Sequence, residues 1–349
     1  MTTADPSPRP FRVPRWSFTD CCGPGAPARP VAVAGGDPGA EERGDGTAGP
    51  GPARQYPAPP PVVSPVAGLI DLHVHCAPDV FGRALDDVDA ARLYRDRGME
   101  GFVLKAHTLV TADRAWLARR QVQGVLAFGG IVLNGAVGGL NAEAVEWMTR
   151  VQGGLGRAVW FPTFDADHHV RHFKNGPEGI RVLDERGAVL PSVRQVLACC
   201  ARHDLVVCTG HLGADEALAV VRAAREAGCT RVSVTHALLE VPGFTLAQLR
   251  EAAELGARLE LAAVGPLMGP AAHVAWMRPW RRVDYREMAQ SVRAIGARHF
   301  HLSTDLGQAG NPIPADGYAL LVEGLVAEGI TRDEIRVMGR EVPGALLMG

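Results

Sequence analysis

The sequence predicts an α/β protein, a closed (β/α)8 barrel (TIM barrel) over residues 66–349. Three observations carry that expectation. From Val66 onward, short apolar strands and helices alternate eight times. They do so over about 285 residues, the usual size of such a barrel. The ionisable residues also gather at the carboxyl ends of the strands, the face where barrels build their sites. An open doubly wound sheet is the competing arrangement. It wants a Gly-rich turn after the first strand, and Cys76-Ala-Pro-Asp-Val80 is not one.

Residues 1–65 read as a separate domain, a disordered N-terminal tail. Pro, Gly, Ala and Arg dominate there, as in Pro57-Ala-Pro-Pro-Pro61, and no periodicity survives. Such a segment cannot bury enough apolar area to offset its ordering entropy. The glycines of Gly44-Asp-Gly-Thr-Ala-Gly-Pro-Gly51 lack the Gly-Lys-Ser/Thr of a phosphate loop.

The first strand, 69–75, is Leu69-Ile-Asp-Leu-His-Val-His75, in which Ile70, Leu72 and Val74 alternate with polar residues. Alternation puts Asp71, His73 and His75 on one face, about 6.6 Å apart along the strand. His73 and His75 can lean onto one ion with bonds of about 2.0–2.1 Å, or they are satisfied core histidines. A helix near 85–97 follows, then a strand, Gly101 to His107, and a helix around 111–121. The third strand, Gly124 to Asn134, precedes a helix near 141–151. The fourth, Arg157 to Thr163, opens into an insertion rich in His and Asp. A helix at 191–203 leads to the fifth strand, Leu205 to Gly210. The amphipathic helix Ala214–Ala227 is stopped by Gly228. Strands Arg231–Thr235 and Arg258–Ala262 flank a helix near 245–255. Residues 264–283 read as a long loop, followed by a helix near 284–295, the eighth strand His299–Thr304, and helices near 315–328 and 331–339.

Composition excludes some classes. A net charge of −2 suits neither a nucleic-acid nor a membrane-surface partner. No apolar run is long enough for a membrane span, and the N-terminus lacks the apolar core of a secretory signal. Seven cysteines without Cys-x-x-Cys spacing suit a reducing compartment, so a cytoplasmic protein is expected. The partner expected is a small-molecule substrate; assembly with identical subunits is left open.

The polar residues fall in order. His73 and His75 close the first strand, Lys105 and His107 the second. Asp165 follows the fourth, His211 the fifth, His236 the sixth and Asp305 the eighth. Convergent ionisable groups at one mouth mark a site.

This ordered set resembles the amidohydrolase superfamily of metal-dependent barrel hydrolases. The resemblance spans about residues 66–349. It implies a divalent ion, one or two, held by His73, His75, His211 in Thr209-Gly-His-Leu, His236 in Val234-Thr-His-Ala and Asp305 in Ser303-Thr-Asp-Leu. Zinc suits that mixed nitrogen and oxygen set. The ion would activate water, and Asp305 would take the proton and later deliver it to the leaving group. His236 completes a second metal site or contacts substrate.

The departure from the family is on the fourth strand, which has no Lys or Glu. Asp165 is the nearby carboxylate, either a bridge, a substrate contact or a polar loop residue. Lys105 is a carboxylated bridge from an unusual strand, a cation for a substrate anion, or a rim lysine; His107, two residues on, is a substrate contact. His168, His169 and His172 read as loop residues and Cys208 as helix-facing core. Glu260 should face the barrel interior or pair with an arginine.

The expected activity is hydrolysis of an amide, ester, lactone or phosphoester. The rivals are a mononuclear decarboxylase or isomerase, a catalytically silent barrel binding protein, and a partner-binding role for the tail.

Overall fold

The computed structural model describes residues 64–174, 176 and 178–349. The tail expected over residues 1–65 lies outside the described residues as far as residue 63.

Eight parallel strands follow one another round the sheet in chain order. They are β1 (Ile70–Val74), β2 (Gly101–Leu104), β3 (Leu126–Val132), β4 (Gly156–Trp160), β5 (Val206–Cys208), β6 (Val232–Val234), β7 (Arg258–Ala262) and β8 (Phe300–Ser303). The last strand returns to the first. Asp305 N donates to His73 O at 2.8 Å and His75 N to Leu306 O at 2.9 Å, which closes the barrel.

The helices α1 (Asp87–Asp96), α2 (Ala112–Gln121) and α3 (Ala142–Thr149) alternate with the first strands. Next come α4 (Asp167–Phe173), α5 (Pro191–Arg202), α6 (Ala214–Glu226), α7 (Leu246–Glu254) and α8 (Tyr285–Ile295). The chain ends in α9 (Pro314–Ala327), α10 (Arg332–Arg336), a π-turn at Val337–Glu341 and α11 (Val342–Leu347). Local chemistry sets several starts. Asp86 caps α1 by accepting from Val88 N and Asp89 N, and Thr245 with Gln248 forms a reciprocal box on α7. Pro191 and Pro314 open α5 and α9, where their missing N–H costs nothing.

Three elements differ from expectation. The insertion after β4 contains α4, and residues 264–283 contain two short 3-10 turns, Gly265–Leu267 and Ala275–Met277. The helical C-terminus continues to Leu347. β2 also stops at Leu104 and β5 at Cys208, so Lys105, His107 and His211 stand on the loops above the strands.

Two side-chain directions are corrected. A register shift between Asp71 and Val74 breaks the alternation of β1. Leu72 therefore lines a small cavity inside the barrel. Asp71 instead accepts from Tyr94 Oη of α1 at 2.6 Å and from Thr304 N and Oγ1 at 2.9 and 2.7 Å. Burial pushes its carboxyl up to about 6 against those hydrogen bonds. Cys208 lines the same interior cavity as Trp160, Ser233, Glu260 and His301, and is not helix-facing. Counting by twos from His211 fails because Gly210 turns the chain at φ +63°. Among the described residues no helix is long and apolar enough to cross a membrane.

Candidate metal centre

Glu260, buried at the centre of β7, organises the mouth. Its Oε1 lies 2.8 Å from His73 Nδ1 and accepts from Ser303 Oγ at 2.8 Å. Its Oε2 accepts from His236 N at 2.8 Å and stands 3.2 Å from His236 Nδ1. The carboxylate fixes His73 with its proton on Nδ1, leaving the Nε2 lone pair facing the mouth.

Asp305 faces that nitrogen. Its Oδ1 is 3.0 Å from both His73 Nε2 and His75 Nε2, and its Oδ2 is 3.7 Å from His236 Nε2. Donor atoms of His73, His236 and Asp305 lie within 4.8 Å of one another. His236 and Asp305 both have left-handed backbones, φ 55° and 51°. That region is sparsely used outside glycine, though Asp and His are among the residues that tolerate it. Each such conformation stores about 1–3 kcal/mol, and they cluster at functional sites.

Two residues after Asp305, Gly307 lies against β1 with φ +130°. A Cβ there would sit 1.7 Å from His75 O. Gly307→Ala should therefore push the β8 loop off His75 and cost about 1–3 kcal/mol, as overpacking does. Thermal unfolding checks this. A variant as stable as the wild type would show that the close approach is not required.

Lys105 is fully buried at the end of β2. Its Nζ is 2.9 Å from His73 Nε2 and 5.6 Å from the centre of the Trp160 ring. Trp160 points inward from β4, the strand that supplies a lysine or glutamate in the superfamily pattern. Burial lowers the Lys105 pKa, while Asp305 and Glu260 act to raise it.

An outer ring surrounds these groups. His107 Nδ1 is 2.9 Å from Thr163 Oγ1, which accepts from Asn134 Nδ2 at 2.8 Å. The His107 ring stacks on His75 at 4.9 Å and lies 4.2 Å from Phe164. His211 Nδ1 is 3.0 Å from Nδ1 of His169, which α4 carries to the mouth. Arg83 Nη2 is 3.3 Å from His75 Nδ1 while its Nε donates to Asp79 at 2.8 Å.

Charge is divided sharply. Burial, then Arg83, Lys105 and His169 respectively, hold His75, His107 and His211 well below the usual histidine range. Neutral imidazole is the form a metal binds. His73 goes the other way. Burial and Lys105 oppose its charge, but Asp305 and Glu260 outweigh them and raise its pKa. Both carboxylates stay well below their ordinary range despite burial, because His73 and His236 face them. The donor set itself fits a divalent ion: two imidazoles and a carboxylate, His73, His236 and Asp305, with ligand atoms within 4.8 Å of one another. His75 and His211 stand beside them, His75 with a guanidinium at its Nδ1 that favours a proton on Nε2.

The family of unknown function DUF6282 matches residues 68–260. The chain belongs to this family. The DUF6282 match takes in β1 through Glu260, and so every candidate above except Asp305. No curated protein sequence matches the chain. Among solved structures, an amidohydrolase from Pseudomonas aeruginosa is similar at 12% identity, with 82% of this chain and 98% of that one covered and a TM-score of 0.54. A mutant PTE-like lactonase from Deinococcus radiodurans gives 15% identity, 82% and 98% coverage, and 0.54. A mutant organophosphorus hydrolase from the same organism gives 16%, 80% and 92%, and 0.51. At these identities the likeness is one of fold, and it is the fold of the resemblance drawn from the sequence.

In this DUF6282 barrel, His73, His75, Lys105, His107, His211, His236 and Asp305 stand together at the mouth. Asp165 does not join them by any hydrogen bond or ion pair among the described residues. Its Oδ2 accepts from Gly135 N at 2.7 Å, bracing the loop after β3. Sequence reasoning turns Glu260 to the barrel interior or to an arginine; it faces the interior, and its partners are His73, Ser303 and His236. His169, read as a loop residue, stands on α4. Glu260 does have a signal, a lone carboxylate between Leu259 and Leu261 in an apolar strand. His169 and Arg83 have none.

Proposed function

We propose that this protein is a metal-dependent hydrolase acting on an ester, lactone, amide or phosphoester of a small molecule. The observation that carries the reading is His73. Its Nδ1 is engaged by buried Glu260 while its Nε2 faces Asp305, within reach of His236. His73, His236 and Asp305 would hold the ion, with His75 and His211 flanking it; nitrogen and oxygen donors suit zinc. When bound, a divalent ion supplies Lewis-acid activation of water and of the scissile group. Asp305, ionised at neutral pH, accepts the proton released by the attacking water and returns it to the leaving group. His107 and Phe164 pack ring against ring at one side of the mouth, their centroids 4.2 Å apart. The fold of lactonases and organophosphorus hydrolases supports testing those substrates first.

Lys105 belongs to the same reading. An ammonium 2.9 Å from His73 Nε2 would compete with an ion for that lone pair. A neutral amine would do so far less, and it can add carbon dioxide, forming an N–C bond and losing one N–H proton to solvent, to give a carbamate, the carboxylate that β4 lacks. The test combines metal analysis with a substrate panel. Protein purified without chelator should contain one or two equivalents of divalent metal and turn over an ester, lactone or phosphotriester. Lys105→Ala should lose metal and activity together, with partial rescue by acetate or propionate. A raised KM with metal retained would instead make Lys105 a cation for substrate. Metal-free native protein would sink the proposal.

A further inference from the structure

On the outside of the barrel, α3 and α5 bring together three side chains that the mouth does not use. Glu146 of α3, Cys199 of α5 and His203, the cap of α5, present an oxygen, a sulfur and a nitrogen within 4.8 Å of one another. Glu146 Oε2 is 2.8 Å from His203 Nε2 and accepts from the Cys199 thiol at 3.7 Å. Cys199 and His203 are four residues apart and so lie on one helix face. His203 comes just before β5, at the amino end of the strands and opposite the mouth. We propose that these three residues hold one zinc-class divalent ion, with its fourth position open to solvent.

Thiolate, imidazole and carboxylate together are a zinc donor set. Access is graded. Cys199 is buried, whereas the Glu146 and His203 side chains are 25% and 32% exposed. The plainer account is a carboxylate hub, since Arg150 reaches Oε1 at 3.0 Å and Arg202 reaches Oε2 at 3.2 Å. Both guanidinium side chains are well exposed, 59% and 61%, and surface pairs of this kind contribute little. Arg202 can leave Oε2 while Arg150 keeps Oε1. A hub of arginines also gives no reason for a buried thiol aimed at the same oxygen that His203 uses. On binding, the Cys199 S–H bond breaks, its proton passes to solvent, and a sulfur–metal bond forms. His203 binds as neutral imidazole with its proton on Nδ1. The ion would clip α3 to α5, the helices on either side of the segment carrying β4, Phe164 and His169.

The test uses the full chain, stripped with chelator and titrated with Cd2+. Thiolate-to-metal charge-transfer absorption in the ultraviolet reports sulfur ligation specifically. The band should appear in the wild type and persist in His73→Ala, because the candidate donors at the mouth include no sulfur; in His73→Ala, whose mouth no longer competes for the ion, it should saturate at one equivalent. It should persist in the Cys21→Ser/Cys22→Ser protein and vanish in Cys199→Ser. His203→Ala should weaken binding by about 10-fold or more, at least the scale of a lost outer-shell partner. No band, or a band that survives Cys199→Ser, overturns the site. If Cys199→Ser does not fold, the surface variants His203→Ala and Glu146→Gln decide, and unchanged affinity in both overturns it equally. None of these outcomes bears on the centre at the mouth.

Discussion

Asp305→Asn should keep the fold and much of the metal and lose roughly 10²–10⁴-fold in turnover, the range typical of a general acid–base. Asp305 touches three histidines. Its Oδ1 is 3.0 Å from His73 Nε2 and His75 Nε2, and its Oδ2 is 3.7 Å from His236 Nε2. Asparagine matches that shape and can still offer one oxygen to an ion or to His75 Nε2–H. It cannot take a proton at neutral pH. The backbone should tolerate the change, since Asn is among the residues that enter the left-handed region readily. Turnover on the best substrate from an ester, lactone and phosphotriester panel is read beside metal content and melting temperature. His73→Ala provides the contrast, losing metal and activity together because its Nε2 is the donor that Glu260 has oriented. Near-normal turnover in Asp305→Asn would remove Asp305 from the mechanism, and with it the main reason to prefer hydrolysis over simple metal binding.

The barrel and the ring of candidates at its mouth are legible in the sequence because both follow from local pattern. Arg258-Leu-Glu-Leu-Ala262 reads as a strand to the residue, since alternation and its flanking helices leave no other choice. His211, His236 and Asp305 are found because each stands just past an apolar strand, where barrel topology points to one face. Two errors share a cause. Asp71 and Cys208 are assigned faces by counting in twos, and the bulge in β1 and the turn at Gly210 break the count. The supporting contacts are invisible for a different reason. Glu260 meets His73 across 187 residues, and His169 meets His211 only because α4 folds back over the mouth. No local periodicity records such meetings. Arg83 beside His75 belongs to the same class, eight residues away on an irregular loop.

The partners of Glu260 make it the side chain whose loss should damage the molecule most. Three donors converge on one buried carboxylate: His73 Nδ1–H, Ser303 Oγ–H and the backbone N–H of His236. Glu260→Ala would leave all three without an acceptor in a dry interior, where each unsatisfied group costs about 1–3 kcal/mol. It would also leave Asp305 as the one carboxylate facing His73, whose pKa the two carboxylates together raise against burial and Lys105. Removing one partner from a buried charged network typically costs about 3–5 kcal/mol. For a domain of about 285 residues that corresponds to a melting temperature lower by roughly 5–8 °C, at about 2.1 cal/mol/K of unfolding entropy per residue. Metal affinity should fall as well, because His73 loses the contact that keeps its proton on Nδ1 and its Nε2 free. Glu260→Gln separates the two effects. Its amide oxygen can still accept from His73 and Ser303, but its NH2 would face the His236 N–H, donor against donor. That variant should recover part of the stability and stay weak in metal. Calorimetry and metal titration on both variants, with Ser303→Ala as a single-donor control, check the ordering. If Glu260→Ala melted with the wild type and bound metal equally well, Glu260 would be a bystander, and the orientation of His73 would have to come from elsewhere.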